Sequence, residues 1–125
     1  MFFPVEEWFP AFVLTCLAEG FVLLPAFWRS GVDPGRLALL LVFANLATHP
    51  AVWFVFTQLF LVGTIEYVLV AEAWAVIAEV VFWWAVLPGV GLRRVAGVVV
   101  TANAVSFVVG RVLQDVWPGL LELPG

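Results

Sequence analysis

The feature that most constrains this chain is a series of four apolar stretches separated by short polar connections. An α-helix needs about 20 apolar residues to cross a bilayer, and each stretch reaches that length. Of the 125 residues, 65% are hydrophobic and only 11% are charged, whereas a soluble domain carries roughly 25% charged residues. The sequence therefore predicts an all-α integral membrane protein with one transmembrane domain, 1–125. The predicted spans are 8–28, 37–56, 65–87 and 95–113.

The charged residues predict an orientation. Four of the five arginines lie in the connections 29–36 and 88–94, which share one side of the membrane. By the positive-inside rule these connections are cytoplasmic and both termini are external. Connections this short make consecutive helices antiparallel neighbours. We expect a four-helix bundle in the inner membrane of a bacterium or archaeon, with the lipid bilayer as its main partner.

Polar residues interrupt the second apolar stretch, which reads ANLATHP from Ala44 to Pro50. Such groups are costly in hydrocarbon unless other groups satisfy them. Residues equidistant from the centre of a hairpin connection lie at similar depth, so partners can be sought by counting. This counting predicts an inner polar layer near the centre of the bilayer, with one residue from each helix: Glu19, Asn45, Glu79 and Asn103.

The same counting predicts an outer layer closer to the termini. It contains His49 and Glu72, with Arg111 as a third member. We expect His49 and Glu72 to lie within reach of a hydrogen bond or of one bridging water. The supporting residues around the two layers are Asn45, Asn103, Thr15, Ser106, Glu66 and Arg111, with Glu66 at the external mouth.

Ionisable side chains inside a membrane favour a functional interpretation, because inserting a charge costs about 2.5–3.5 kcal/mol even on the mildest scale. Converging carboxylates cannot all be charged without a counter-ion, so they would hold protons or a cation. The candidate residues are Glu19, His49, Glu72 and Glu79. The predicted function is the binding, with transport as an extension, of a proton or small cation.

A fixed metal cation is a weaker interpretation of the same residues. Carboxylates and histidines on facing helices hold metals in some four-helix bundles, but the Glu-x-x-His pairs of the di-iron proteins are missing. His49 is the only histidine, and Cys16 is the only cysteine. A bis-histidine haem would therefore need two chains, and a multi-cysteine site is excluded.

The alternative function is structural: an accessory subunit of a larger membrane complex, or a homo-oligomer. Protonated glutamates bonded to asparagines would join helices, at roughly 0.6–2 kcal/mol each. Seven tryptophans and twelve phenylalanines could equally contact lipid, quinone, pigment or another protein. The absence of a basic run argues against a nucleic-acid partner, and no nucleophile–base pair supports an enzyme.

One family shares the small size and the four membrane spans of this chain. Four short spans with a glutamate in the first, in Leu17-Ala18-Glu19-Gly20, resemble the small multidrug resistance exporters. Those proteins keep essentially one membrane carboxylate, whereas this chain has three deep ones and an intramembrane His-Pro. The aromatic and glycine motifs of their later helices are missing, so the resemblance assigns no functional residue.

Overall fold

The computed structural model describes residues 5–118, and these form four helices with no strand. All four are long and apolar enough to cross a membrane, which confirms the predicted fold class. The helices are α1, Val5–Phe27; α2, Pro34–Leu59; α3, Ile65–Val86; and α4, Leu92–Val116. Every predicted span matches one helix, with ends that differ by three residues or fewer. The last helix continues past the predicted end of its span at 113 as far as Val116, and residues 119–125 lie outside the described residues.

Two of the helices begin with side-chain caps. At the start of α2, the Asp33 carboxylate accepts from the backbone N–H of Arg36 at 3.2 Å, and Pro34 occupies the first turn. At the start of α3, the hydroxyl of Thr64 accepts from the backbone N–H of Tyr67 at 3.3 Å. Both caps satisfy N–H groups that have no partner within the helix.

The second span ends in a different geometry from the rest. Directly after Pro50, residues Ala51–Phe56 form a π-helical segment, followed by a last α-helical turn, Thr57–Leu59. Proline cannot donate to the carbonyl four residues earlier, here that of Leu46, and so disturbs the regular ladder. The wider turns carry the helix past the predicted end at Phe56, and the connection to α3 shortens to residues 60–64.

The helices pack in a ring in which α1 touches α2 and α4, and α3 also touches α2 and α4. The most extensive contact joins α1 and α4. We call the end with the connections 28–33 and 87–91 the arginine end, and the opposite end the terminal end. At the arginine end, Arg94 donates to the carbonyl of Ala26 at 2.9 Å, which satisfies one of the free carbonyls of the last turn of α1.

Large apolar side chains fill the interior of the arginine-end half. Trp83 packs against Phe27 with ring centroids 5.5 Å apart. We call this cluster the apolar plug, and its buried members are Leu23, Phe27, Leu37, Leu41, Ala44, Trp83, Leu87, Val95, Val99 and Ala102. None of these side chains carries an ionisable group, so the plug closes that half of the bundle to ions.

Candidate functional site

Five polar side chains, contributed by all four helices, meet directly above the apolar plug. We call them the polar layer: Glu19, Asn45, Thr48, Glu79 and Asn103. Each is at most 6% exposed. The four residues expected in the inner layer are therefore brought together inside the bundle, and none of them faces lipid.

In the first hairpin, Asn45 of α2 fixes the carboxylate of Glu19 of α1. The Nδ2 group of Asn45 donates to Oε2 of Glu19 at 2.9 Å and to the backbone carbonyl of Leu41 at 3.1 Å. A backbone carbonyl can only accept, so this contact identifies the amide nitrogen. Both N–H bonds of the amide are thereby used.

The second hairpin contains the same hydrogen-bonding arrangement. The Nδ2 group of Asn103 donates to Oε2 of Glu79 at 3.2 Å and to the carbonyl of Val99 at 3.0 Å. Again the asparagine bonds the carbonyl four residues earlier on its own helix and a glutamate on the preceding helix. The two carboxylates are thus held in equivalent ways.

Thr48 connects the two units. Its hydroxyl lies 3.4 Å from Oε1 of Glu79, 3.2 Å from the carbonyl of Ala44 and 3.4 Å from that of Asn45. A hydroxyl has one proton to donate, so the bond to Glu79 alternates with bonds to the backbone. The backbone bond is the ordinary one for a threonine in a membrane helix, and the Glu79 contact is additional.

The equivalence of the two units is also visible in the sequence. Leu17-Ala18-Glu19 corresponds to Ile77-Ala78-Glu79, with the glutamates 60 residues apart. Ala44-Asn45-x-x-Thr48 corresponds to Ala102-Asn103-x-x-Ser106, with the asparagines 58 residues apart. The two hairpins therefore share a short pattern of matching residues, which we call the internal repeat. This pattern is the signal by which Thr48 could have been included among the site residues.

A cavity of about 540 Å³ extends from the polar layer to the terminal end. All five residues of the polar layer contribute to its wall. At the terminal end its lining includes the exposed residues Val62, Arg111 and Gln114, so it reaches the surface there. The site is accessible from one end of the bundle and is closed by the apolar plug at the other.

In comparison with known proteins, no protein family, curated protein or solved structure matches this chain.

No direct hydrogen bond joins His49 to Glu72 within residues 5–118, and their approach through one bridging water stays a prediction. Instead, Nε2 of His49 lies 3.4 Å from the hydroxyl of Thr15, while Nδ1 is buried without a hydrogen-bond partner in the described chain. The ring packs between aromatic side chains, with Trp53 stacked at 6.1 Å and Phe12 edge-on at 5.8 Å. His49 lies four residues after Asn45 and therefore on the same face of α2. Counting residues from the hairpin connections gives its depth but does not show that aromatic side chains of α1 surround it.

The other predicted site residues divide into two groups. Thr15, Glu72, Ser106 and Arg111 line the cavity, as His49 does. Glu66 lies in the exposed first turn of α3 and does not contribute to the cavity wall.

The cavity wall also includes three residues with aromatic rings that were not predicted as part of the site: Trp53, Tyr67 and Phe107. The hydroxyl of Tyr67 donates to the carbonyl of Val52 at 3.3 Å, which joins α3 to the π-helical segment of α2. The position of Tyr67 in the site thus depends on the π-helical segment. The register of that segment cannot be predicted by assuming regular α-helical spacing in the sequence.

The described residues contain no group of three or more histidine, cysteine, aspartate or glutamate side chains placed to hold a metal ion. The arrangement consists instead of two carboxylate–amide units, connected through Thr48, with amide donors already in place. Such units can accept a proton or bind a cation that brings its own hydrogen-bond donors.

Proposed function

We propose that this chain binds a proton or a small cation at Glu19 and Glu79 and exchanges it with the solution at the terminal end. The observation that carries the proposal is the pair of buried carboxylates on the wall of one cavity. Neither carboxylate forms an ion pair with a cationic side chain of the described chain; their partners are amides and a hydroxyl. A carboxylate in such surroundings has to take up a proton or a cation to be neutral.

Glu72 extends this site toward the surface. It lies seven residues before Glu79 on α3, on the same side of the helix, and it also lines the cavity. Among residues 5–118 it has no hydrogen-bond partner. A proton or cation entering from the terminal end would therefore meet Glu72 before Glu79.

Movement across the whole membrane would require a second conformation. The apolar plug separates the polar layer from the arginine end, and two halves built on repeats can rock against each other to open the opposite side. A rocking motion of this kind would extend binding to transport. The positive-inside rule favours a cytoplasmic arginine end.

The proposal is tested by reconstituting the protein in liposomes that contain a pH-sensitive dye. Glu19→Gln and Glu79→Gln are nearly isosteric and remove the titratable group. Proton uptake driven by an imposed gradient should collapse in both variants while the helical circular dichroism is unchanged. Repeating the assay with sodium, potassium or an impermeant cation outside separates proton movement from exchange for a small cation.

Glu66→Gln is the matched control, because Glu66 is a glutamate of α3 outside the cavity. It should behave as the unmodified protein. Equal flux in all four proteins from about pH 5 to about pH 9, a range in which buried carboxyl groups titrate, would overturn the proposal.

The structural alternative is favoured by one observation: the hydrogen bonds of the polar layer join α1 to α2, α2 to α3 and α3 to α4. Such bonds would also stabilise an accessory subunit. In that case the glutamine variants should keep these contacts and bind the same partners as the unmodified protein, without any change in ion binding.

A further inference from the structure

The cavity above the polar layer is much larger than a proton or a small ion requires. Its volume of about 540 Å³ compares with roughly 30 Å³ for one water in the liquid. Pockets that hold small organic molecules measure about 300–1,000 Å³ and are mostly apolar with a few converging polar groups. The cavity has both properties, since apolar side chains form most of its wall.

The polar layer forms the inner end, or floor, of the cavity, and it offers hydrogen-bond acceptors and few donors. Both N–H bonds of Asn45 are used, and its Oδ1 atom is buried without a partner in the described chain. Asn45 is only 1% exposed and contributes to the cavity wall. Asn103 likewise donates to Glu79 and to a carbonyl. A ligand that complements these groups has to supply N–H or O–H donors.

The charges along the wall favour a positive ligand. Glu19, Glu72 and Glu79 line the cavity, and the one arginine in the wall, Arg111, is exposed at the rim. There it is solvated, and its field is screened over about 8–10 Å by physiological salt. Deeper in the bundle the three carboxylates face no cationic side chain of the described residues.

Between floor and rim, aromatic rings line the wall. Trp53, Tyr67 and Phe107 come from three different helices. Faces of such rings attract cations that lie within about 6 Å of them, tryptophan most strongly, and they also accommodate an apolar body.

We propose that the cavity binds an organic ammonium ion, a protonated primary or secondary amine with an apolar body. The ammonium group lies among Glu72, Glu79 and Oδ1 of Asn45, and the apolar body lies against Trp53 and Tyr67. This inference rests on the proposed function, since it takes the same carboxylates as the cation site and specifies the class of cation.

The test uses the protein in lipid nanodiscs and measures binding by equilibrium dialysis, with empty nanodiscs subtracted. The probe is 4-phenylbutylamine, and its matched neutral ligand is 4-phenylbutan-1-ol, which has the same shape and one donor. A third ligand, the N,N,N-trimethyl derivative, keeps the charge but has no N–H. We expect saturable binding of one amine per chain, and binding at least about tenfold weaker for each of the other two, which corresponds to about 1.4 kcal/mol.

Variants locate the bound amine. Glu79→Gln and Glu72→Gln should each weaken amine binding about tenfold and leave alcohol binding unchanged, whereas Glu66→Gln should have no effect. Because the comparison of three ligands uses the unmodified protein, a variant that fails to fold does not decide the outcome. Equal binding of the amine and the alcohol, or of the amine and the trimethyl derivative, would overturn the proposal.

The liposome assay separates this inference from the proposed function. If the amine does not bind while proton uptake still depends on Glu79, the organic ligand is wrong and the proton site stands. If the amine does not bind and proton uptake is independent of Glu19 and Glu79, both proposals fail.

Discussion

The side-chain amide of Asn45 donates to the carboxylate of Glu19 across the α1–α2 interface at 2.9 Å. Asn103 and Glu79 repeat this relationship across the α3–α4 interface at 3.2 Å. In each case the asparagine is anchored by a second bond to a carbonyl of its own helix. A carboxylate with a preset donor needs less reorganisation of its surroundings when it gains or loses a proton.

The repeated geometry predicts that Asn45→Ala and Asn103→Ala have similar costs. Each removes one inter-helix hydrogen bond and leaves a buried carboxylate without its amide donor. A membrane hydrogen bond of this kind contributes about 0.6 kcal/mol, with a maximum near 1.7 kcal/mol, so we expect each variant to lose about 1 kcal/mol. Unfolding in mixed micelles with a denaturing detergent measures this. A large loss in one variant and none in the other would show that the two units are not equivalent.

Gly20 is predicted to make room for the buried side chain of Leu41 between α1 and α2. A Cβ atom at this position would lie 2.9 Å from Cδ2 of Leu41. Gly20→Val should therefore displace the side chain of Leu41 within the core, at about 1–3 kcal/mol for overpacking. Thermal unfolding in detergent measures the effect.

Gly97→Val is the control for that substitution, since a Cβ at Gly97 meets nothing within 4 Å. It should change the unfolding temperature little. If the two valine variants unfold alike, the contact between Gly20 and Leu41 does not limit the packing.

His49→Phe is predicted to preserve the fold. Phe107 occupies the corresponding position after Asn103 in the internal repeat, and the ring of His49 already packs against Phe12 and Trp53. No hydrogen bond joins His49 to a carboxylate of the described chain, so proton uptake should fall less than in Glu79→Gln. The liposome assay measures this, and an equal loss in both variants would place His49 on the proton route.

Tyr67→Phe is predicted to loosen the end of α2. It removes the hydroxyl that donates to the carbonyl of Val52 and keeps the ring in the cavity wall. Hydrogen–deuterium exchange should become faster in residues Ala51–Phe56 and stay unchanged in α1, because local opening depends on local contacts. Unchanged exchange in the π-helical segment would mean that this bond does not restrain it.

The amino-acid sequence by itself determined the four spanning helices and the inner polar layer. Length and hydropathy decide whether a helix can cross a bilayer, and short connections force antiparallel neighbours, so simple counting placed Glu19 beside Asn45 and Glu79 beside Asn103. This works because the depth of a residue in a hairpin follows from its distance along the chain. The surroundings of His49 could not be derived in this way, since they depend on how the helices are rotated as well as on depth.

Only the tertiary structure decided where the open space lies and what closes it. The π-helical turns after Pro50 change the register of Trp53, and the packing of Trp83 on Phe27 fills the arginine-end half. The first result depends on how far Pro50 disturbs the backbone ladder of its helix. The second depends on side-chain volumes meeting across helices, which no pattern along one helix records. The sequence thus supplied the depth of each polar group, while packing determined that the carboxylates line a cavity open at one end only.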